Sequence, residues 1–125
     1  MKIYVSCPMT GFKDWNVPLM ENTAKELRKL GHSVLVPIPD KDINVAMPRD
    51  CAMVCEVDTI VMCPGWEKSD GCWTEWRLAV RCKKSIYYIN GKFNKTEFQN
   101  WNQTRWVLRT SPSQYSAISR MRPSR

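Results

Sequence analysis

Apolar runs and one-sided apolar faces alternate along this chain, and the alternation predicts its elements. "KIYVS" (2–6) is a short strand-type run that ends at the Pro/Gly loop "CPMTG". "PLMENTAKELRKLG" (18–31) carries Met20, Ala24, Leu27 and Leu30 at helical spacing, with Asn16 as its cap and Gly31 as its stop. "HSVLVP" (32–37) is a second strand, followed by the connection 38–46. "MPRDCAMVCE" (47–56) predicts a short helix with Pro48 in its first turn, and "DTIVMC" (58–63) a buried third strand. The loop "PGWEKSDG" leads into a helix over 72–82, then a fourth strand, "SIYYI" (85–89). "KTEFQNWNQTRWVL" (95–108) adds a last helix that packs Phe98, Trp101 and Trp106.

Strands alternating with helices predict a single-domain α/β fold, a three-layer sandwich around a mostly parallel sheet of four to five strands, flavodoxin-like in architecture. In such open sheets ligands bind beyond the carboxyl ends of the strands, near the point where strand order reverses. That rule selects the loops 7–17, 38–46 and 63–72.

Composition changes the picture only at the edges. With 125 residues, 43% hydrophobic and 25% charged, the chain has room for one core. No apolar run approaches the roughly 18 residues of a membrane helix, and "MKIYVSC" lacks a signal-peptide layout, so the expected location is cytoplasmic, with no membrane partner. The net charge of +7 is concentrated after Glu97, the last acid. The domain therefore reads as 1–109, followed by a basic tail, 110–125, of disordered composition. Such a tail is a solvated terminus or an electrostatic contact for nucleic acid; the first is favoured. The six cysteines fall inside apolar patterns and read as reduced, mostly core residues. The spacing of Cys51, Cys55, Cys63 and the single histidine, His32, does not fit a metal site.

Candidate chemistry gathers at the selected loops. Tyr4 lies near the end of the first strand, Thr10 and Gly11 in the loop beyond it, and Asp50 in the helix before the third strand. Ser69, Gly71 and Glu75 follow that strand in "KSDGCWTEW". A carboxylate near a helix start is favoured in its charged form by the dipole, which suits a nucleophile. Asp50, among apolar residues and near another acid, is expected to retain a proton and act as general acid. Two such carboxyls suit chemistry through an oxocarbenium-like centre. Each residue also has a structural reading: Tyr4 a sheet residue, Asp50 and Glu75 helix-turn acids, Ser69 and Gly71 turn formers, Trp73 and Trp76 core.

Together, "KIYVSCPMTGF", "LRKLGHSVLVP", "RDCAMVCEVDTIVMCPGWEKSDGCWTEWRLA" and "KKSIYYI" resemble the nucleoside 2-deoxyribosyltransferase-like superfamily. The nearest branch is a small group found in phage genomes whose members open with a similar "YISGPMTG". The resemblance covers roughly residues 2–90. It implies an enzyme acting on the N-glycosidic bond of a nucleoside or nucleotide, a 2-deoxyribosyltransferase or a nucleotide N-hydrolase, with no metal or redox cofactor. It carries the nucleophile's role to Glu75, the acid/base or sugar-orienting role to Asp50, and substrate contacts to Tyr4, the loop residues Cys7, Thr10 and Gly11, and Ser69 and Gly71. Ser69 is the implied 5′-phosphate contact, and Asp58 is implied to be structural. The implied assembly is a homodimer or larger, with a neighbouring subunit closing each site.

The chain departs from that pattern in its first loop. Cys7 stands where glycine is usual, and Thr10 where the nucleotide hydrolases place arginine. Trp73 and Trp76 are bulky neighbours for the glutamate, placed either to stack a base or to plug the site. A non-catalytic nucleotide-binding protein of the same fold is the alternative reading.

Overall fold

The computed structural model describes residues 1–109, with side chains to 104; the tail expected at 110–125 lies outside the described residues. Four strands, β1 (Lys2–Ser6), β2 (Ser33–Leu35), β3 (Thr59–Met62) and β4 (Ser85–Tyr88), form an all-parallel sheet in the order β2-β1-β3-β4. Helices α1 (Val17–Lys29), α2 (Ile43–Glu56), α3 (Asp70–Arg81) and α4 (Lys95–Arg109) connect and cover it. The predicted three-layer α/β sandwich is what the chain adopts, in the flavodoxin-like strand order. The order reverses between β1 and β3, where Ser6 pairs with Met62 and the Cys63 amide donates to the Ser6 carbonyl at 2.9 Å.

Side-chain alternation along the strands divides the core in two. Ile3, Val5 and Val61 face α1 and α4, where they meet Met20, Ala24, Leu27 and Phe98. Tyr4, Ile60 and Met62 face α2 and α3, against Val54, Trp66, Trp73 and Trp76.

Three boundaries differ from the sequence reading in ways that matter for the site. Helix α2 starts at Ile43 rather than 47, because Asp42 caps it: its carboxylate accepts from the Asn44 amide at 2.9 Å. Pro48 consequently lies inside the helix instead of in its first turn. Helix α3 starts at Asp70, two residues early, because Ser69 is its N-cap. Asn16 is not a side-chain cap for α1; it has a left-handed backbone (φ 58°), and its amide donates to the Pro8 carbonyl at 2.9 Å. Asp14 and Trp15 share that conformation, at φ 52° and 56°. Three successive non-glycine residues in this region carry strain, of roughly 1 kcal/mol or more each.

Candidate active site

The first, second and third βα loops converge on a cleft of about 340 Å³ at the carboxyl edge of the sheet. The loop after β1 contributes Cys7, Met9, Thr10 and Trp15 to its walls. The segment after β2 contributes Pro37 to Asp40, and the start of α3 contributes Ser69 to Cys72. Asp50 and Glu75 face the cleft from α2 and α3. The cleft thus lies at the loops that the sheet-edge rule selected from the alternation of strands and helices.

Glu75 sits at the floor. It is 4% exposed, yet both carboxyl oxygens are hydrogen-bonded: the Tyr4 hydroxyl donates to Oε2 and the Ser6 hydroxyl to Oε1, each at 2.7 Å. Tyr4 and Ser6 are two apart on β1, so the strand's period places both hydroxyls on the face that receives α3. Burial raises Glu75 from its ordinary 4.5 to about 7, against the opposing effect of the Ser6 and Tyr4 hydrogen bonds, and the charge of Asp50 adds to the rise. The expectation that the helix dipole keeps this carboxylate charged is thus corrected. Glu75 is the sixth residue of α3, beyond the first turn in which the dipole acts, and desolvation dominates.

Asp50 is also largely buried, and burial raises its pKa, opposed by the Arg49 guanidinium. Its Oδ1 has no hydrogen-bond partner and stands 3.6 Å from Arg49 Nε. The charge of Asp50 contributes to the rise at Glu75, so the two carboxyls titrate as a pair, and burial raises both.

Of the residues singled out from the sequence, Cys7, Thr10, Asp50, Ser69, Gly71 and Glu75 line the cleft. Tyr4 does not; it is completely buried behind Glu75 and holds that carboxyl in place. Gly11 stays outside the lining. It takes φ +85° in the turn closed by the Phe12 amide on the Met9 carbonyl, a conformation glycine adopts freely. The Ser69 hydroxyl accepts from the Cys72 amide at 3.2 Å as the α3 cap. Trp73 and Trp76 neither stack over the cleft nor plug it. They pack with Trp66 in an aromatic cluster, and the Trp76 indole donates to the Tyr88 hydroxyl at 2.8 Å.

Ser6, Trp15 and Lys68 are the residues that sequence reasoning missed. Ser6 was legible as the second hydroxyl in step with Tyr4. Trp15 reaches the cleft through its left-handed backbone, which no local pattern announces. The six cysteines are free: Cys7, Cys63 and Cys72 are core residues as expected, Cys51 is half-buried, and Cys55 and Cys82 are exposed. Among the described residues no group of three or more His, Cys, Asp or Glu is placed to hold a metal ion, and no helix is long and apolar enough to cross a membrane.

Residues 1–88 match a family described as a domain of unknown function, DUF4406. The chain belongs to the DUF4406 family. The matched region contains the whole sheet, the cleft and both carboxyls, so α4 is the element of the fold that lies beyond it. No curated protein sequence matches this DUF4406 chain.

Proposed function

We propose that this DUF4406 protein cleaves or exchanges the base of a nucleoside or nucleotide at its N-glycosidic bond, as its resemblance to the deoxyribosyltransferase-like superfamily implies. The observation that carries the reading is Glu75. A buried carboxyl with both oxygens fixed by hydroxyls, at the floor of a cleft and beside a second carboxyl, is an expensive arrangement for structure alone. In the proposed mechanism the Glu75 carboxylate attacks the anomeric carbon as the bond to the base nitrogen breaks. The departing base takes the bonding pair and a proton from Asp50. A second base or a water then gives its proton to the Asp50 carboxylate and attacks the same carbon, releasing Glu75 and restoring both groups. Ser6 and Tyr4 orient the nucleophile, and Lys68 with the start of α3 lies where an anionic substituent is accommodated. The assembly proposed with it is a homo-oligomer. Exposed Phe12, Ile38, Ile43 and Val45 support this: they are large apolar side chains, and Ile38 and Ile43 line the cleft itself.

The test is release of free base from deoxynucleosides and their 5′-monophosphates, with and without an acceptor base. Glu75→Ala is expected to lower release at least about a thousandfold, the scale on which loss of a nucleophile acts. Unchanged release would reject the mechanism. Acceptor dependence separates transfer from hydrolysis. The pair must hold one proton, so kcat/KM is expected to fall as pH rises through about 7, the value for Glu75. A rise through that value would mean instead that Glu75 acts alone and the base draws its proton from solvent.

A second reading, a protein that binds nucleotides without cleaving them, is favoured by the depth of Glu75 and by Cys7 in the cleft wall. Saturable nucleotide binding with no base released from any substrate is the result that selects it.

A further inference from the structure

Arg49 occupies a position between the cleft wall and the site. It lies nearly two turns inside α2, and side chains of a helix lean toward its N-terminus, so the guanidinium reaches back to the loop that follows β2. Nη2 donates to the Ile38 carbonyl, Nη1 stands 4.0 Å from Asp40 Oδ2, and Nε stands 3.6 Å from Asp50 Oδ1. Ile38 and Asp40 belong to the wall of the cleft; Asp50 belongs to the carboxyl pair.

The third of these contacts is unfinished. Arg49 Nε and Asp50 Oδ1 are both buried and both without a hydrogen-bond partner, although they face one another. A shift of less than an ångström would complete the bond, and a buried donor and acceptor left open favour that shift. The other end of the same rigid guanidinium is tied to the loop, so its distance from Asp50 is set in part by where the loop stands. The geometry points to Arg49 as a positioning residue that couples the cleft wall at Ile38 and Asp40 to the orientation of Asp50. The inference rests on Asp50 being part of the proposed site. An occupant pressing on the wall is then felt at the acid without touching it.

The coupling is tested without substrate, by following the Asp50 carboxyl carbon and the Ile38 carbonyl carbon through a pH titration of the full-length, carbon-13-labelled protein. The titratable groups that the charge of Asp50 reaches are Cys51 on its own helix, Glu75 on α3 and Tyr4 on β1. The Glu75 carboxyl is followed in the same spectra, and an Asp40→Asn background removes that residue's own titration. In the protein with Arg49 intact, the Ile38 signal is expected to follow the Asp50 midpoint. Arg49→Met is expected to abolish that and to raise the midpoint. Arg49→Lys keeps a cation near Asp50 but cannot span both contacts, so the midpoint should stay near its original value while Ile38 falls silent. An Ile38 signal that ignores Asp50 with Arg49 present, or that still follows it in either variant, overturns the proposal. Failure of the base-release assay leaves this result intact, and a silent Ile38 leaves Glu75-dependent release intact.

Discussion

Strand β1 sends its residues into two different environments. Ile3 and Val5 enter the layer under α1 and α4, a core built around Leu27 and Phe98. Tyr4 and Ser6 enter the layer under α2 and α3, where their hydroxyls meet a buried carboxyl. Both layers exclude water, but to different ends. On the first face exclusion stabilises the fold through apolar burial. On the second it also raises the proton affinity of Glu75, so burial becomes a chemical variable. The two hydroxyls limit the rise, and the indoles of Trp66, Trp73 and Trp76 supply the apolar packing that the carboxyl does not.

The contrast is most sharply tested by truncating the face that carries no chemistry. Phe98→Ala should cost about 3–5 kcal/mol, as deletion of a fully buried ring does, while leaving the Glu75 titration unmoved. Denaturant unfolding and carboxyl NMR on the same sample check both halves; a shifted Glu75 midpoint would show that the faces are not independent.

On the other face the expected effect depends on pH. The folded pKa of Glu75, about 7, lies above its ordinary 4.5, so the native state binds more protons than the unfolded one between those values. Its contribution is therefore present below about pH 4.5 and is lost as pH rises to about 7, a gap that corresponds to roughly 3 kcal/mol. Glu75→Gln should remove that slope, so that urea midpoints change less across the range than in the parent chain. An identical slope in the variant would assign the pH dependence elsewhere.

Smaller effects refine the picture. Ser69→Ala removes the α3 cap and should cost about 1 kcal/mol in unfolding experiments. If it also abolishes binding of 5′-monophosphates but not of nucleosides, the hydroxyl contributes to the ligand as well as to the helix. Tyr4→Phe should cost about the same or less, as loss of one hydrogen bond, and should push the Glu75 midpoint further up. A midpoint that moves down would mean that the hydroxyl does not stabilise the charged form.

Strand and helix order, and with them the location of the cleft, could be read from the sequence because they rest on periodicity. Glu75 and Asp50 could be placed at that edge for the same reason. Their protonation could not, since it depends on how deeply each is buried and on what faces it. Pro48 misdirected the start of α2: proline favours a first turn, but here Asp42 supplied the cap one turn earlier. The role of Tyr4 behind the carboxyl, rather than against a ligand, depends on which face of β1 meets α3. The role of Arg49 depends in the same way on the loop after β2, whose Ile38 carbonyl it meets only in the folded chain.

The left-handed stretch from Asp14 to Asn16 also constrains how this sequence can drift. Glycine at position 15 would relieve backbone strain and at the same time delete a wall of the cleft. Lineages selected only for durability should accumulate glycine there, and lineages selected for whatever the cleft does should not. The occupancy of that one position across descendants is therefore a record of whether the cleft has stayed in use.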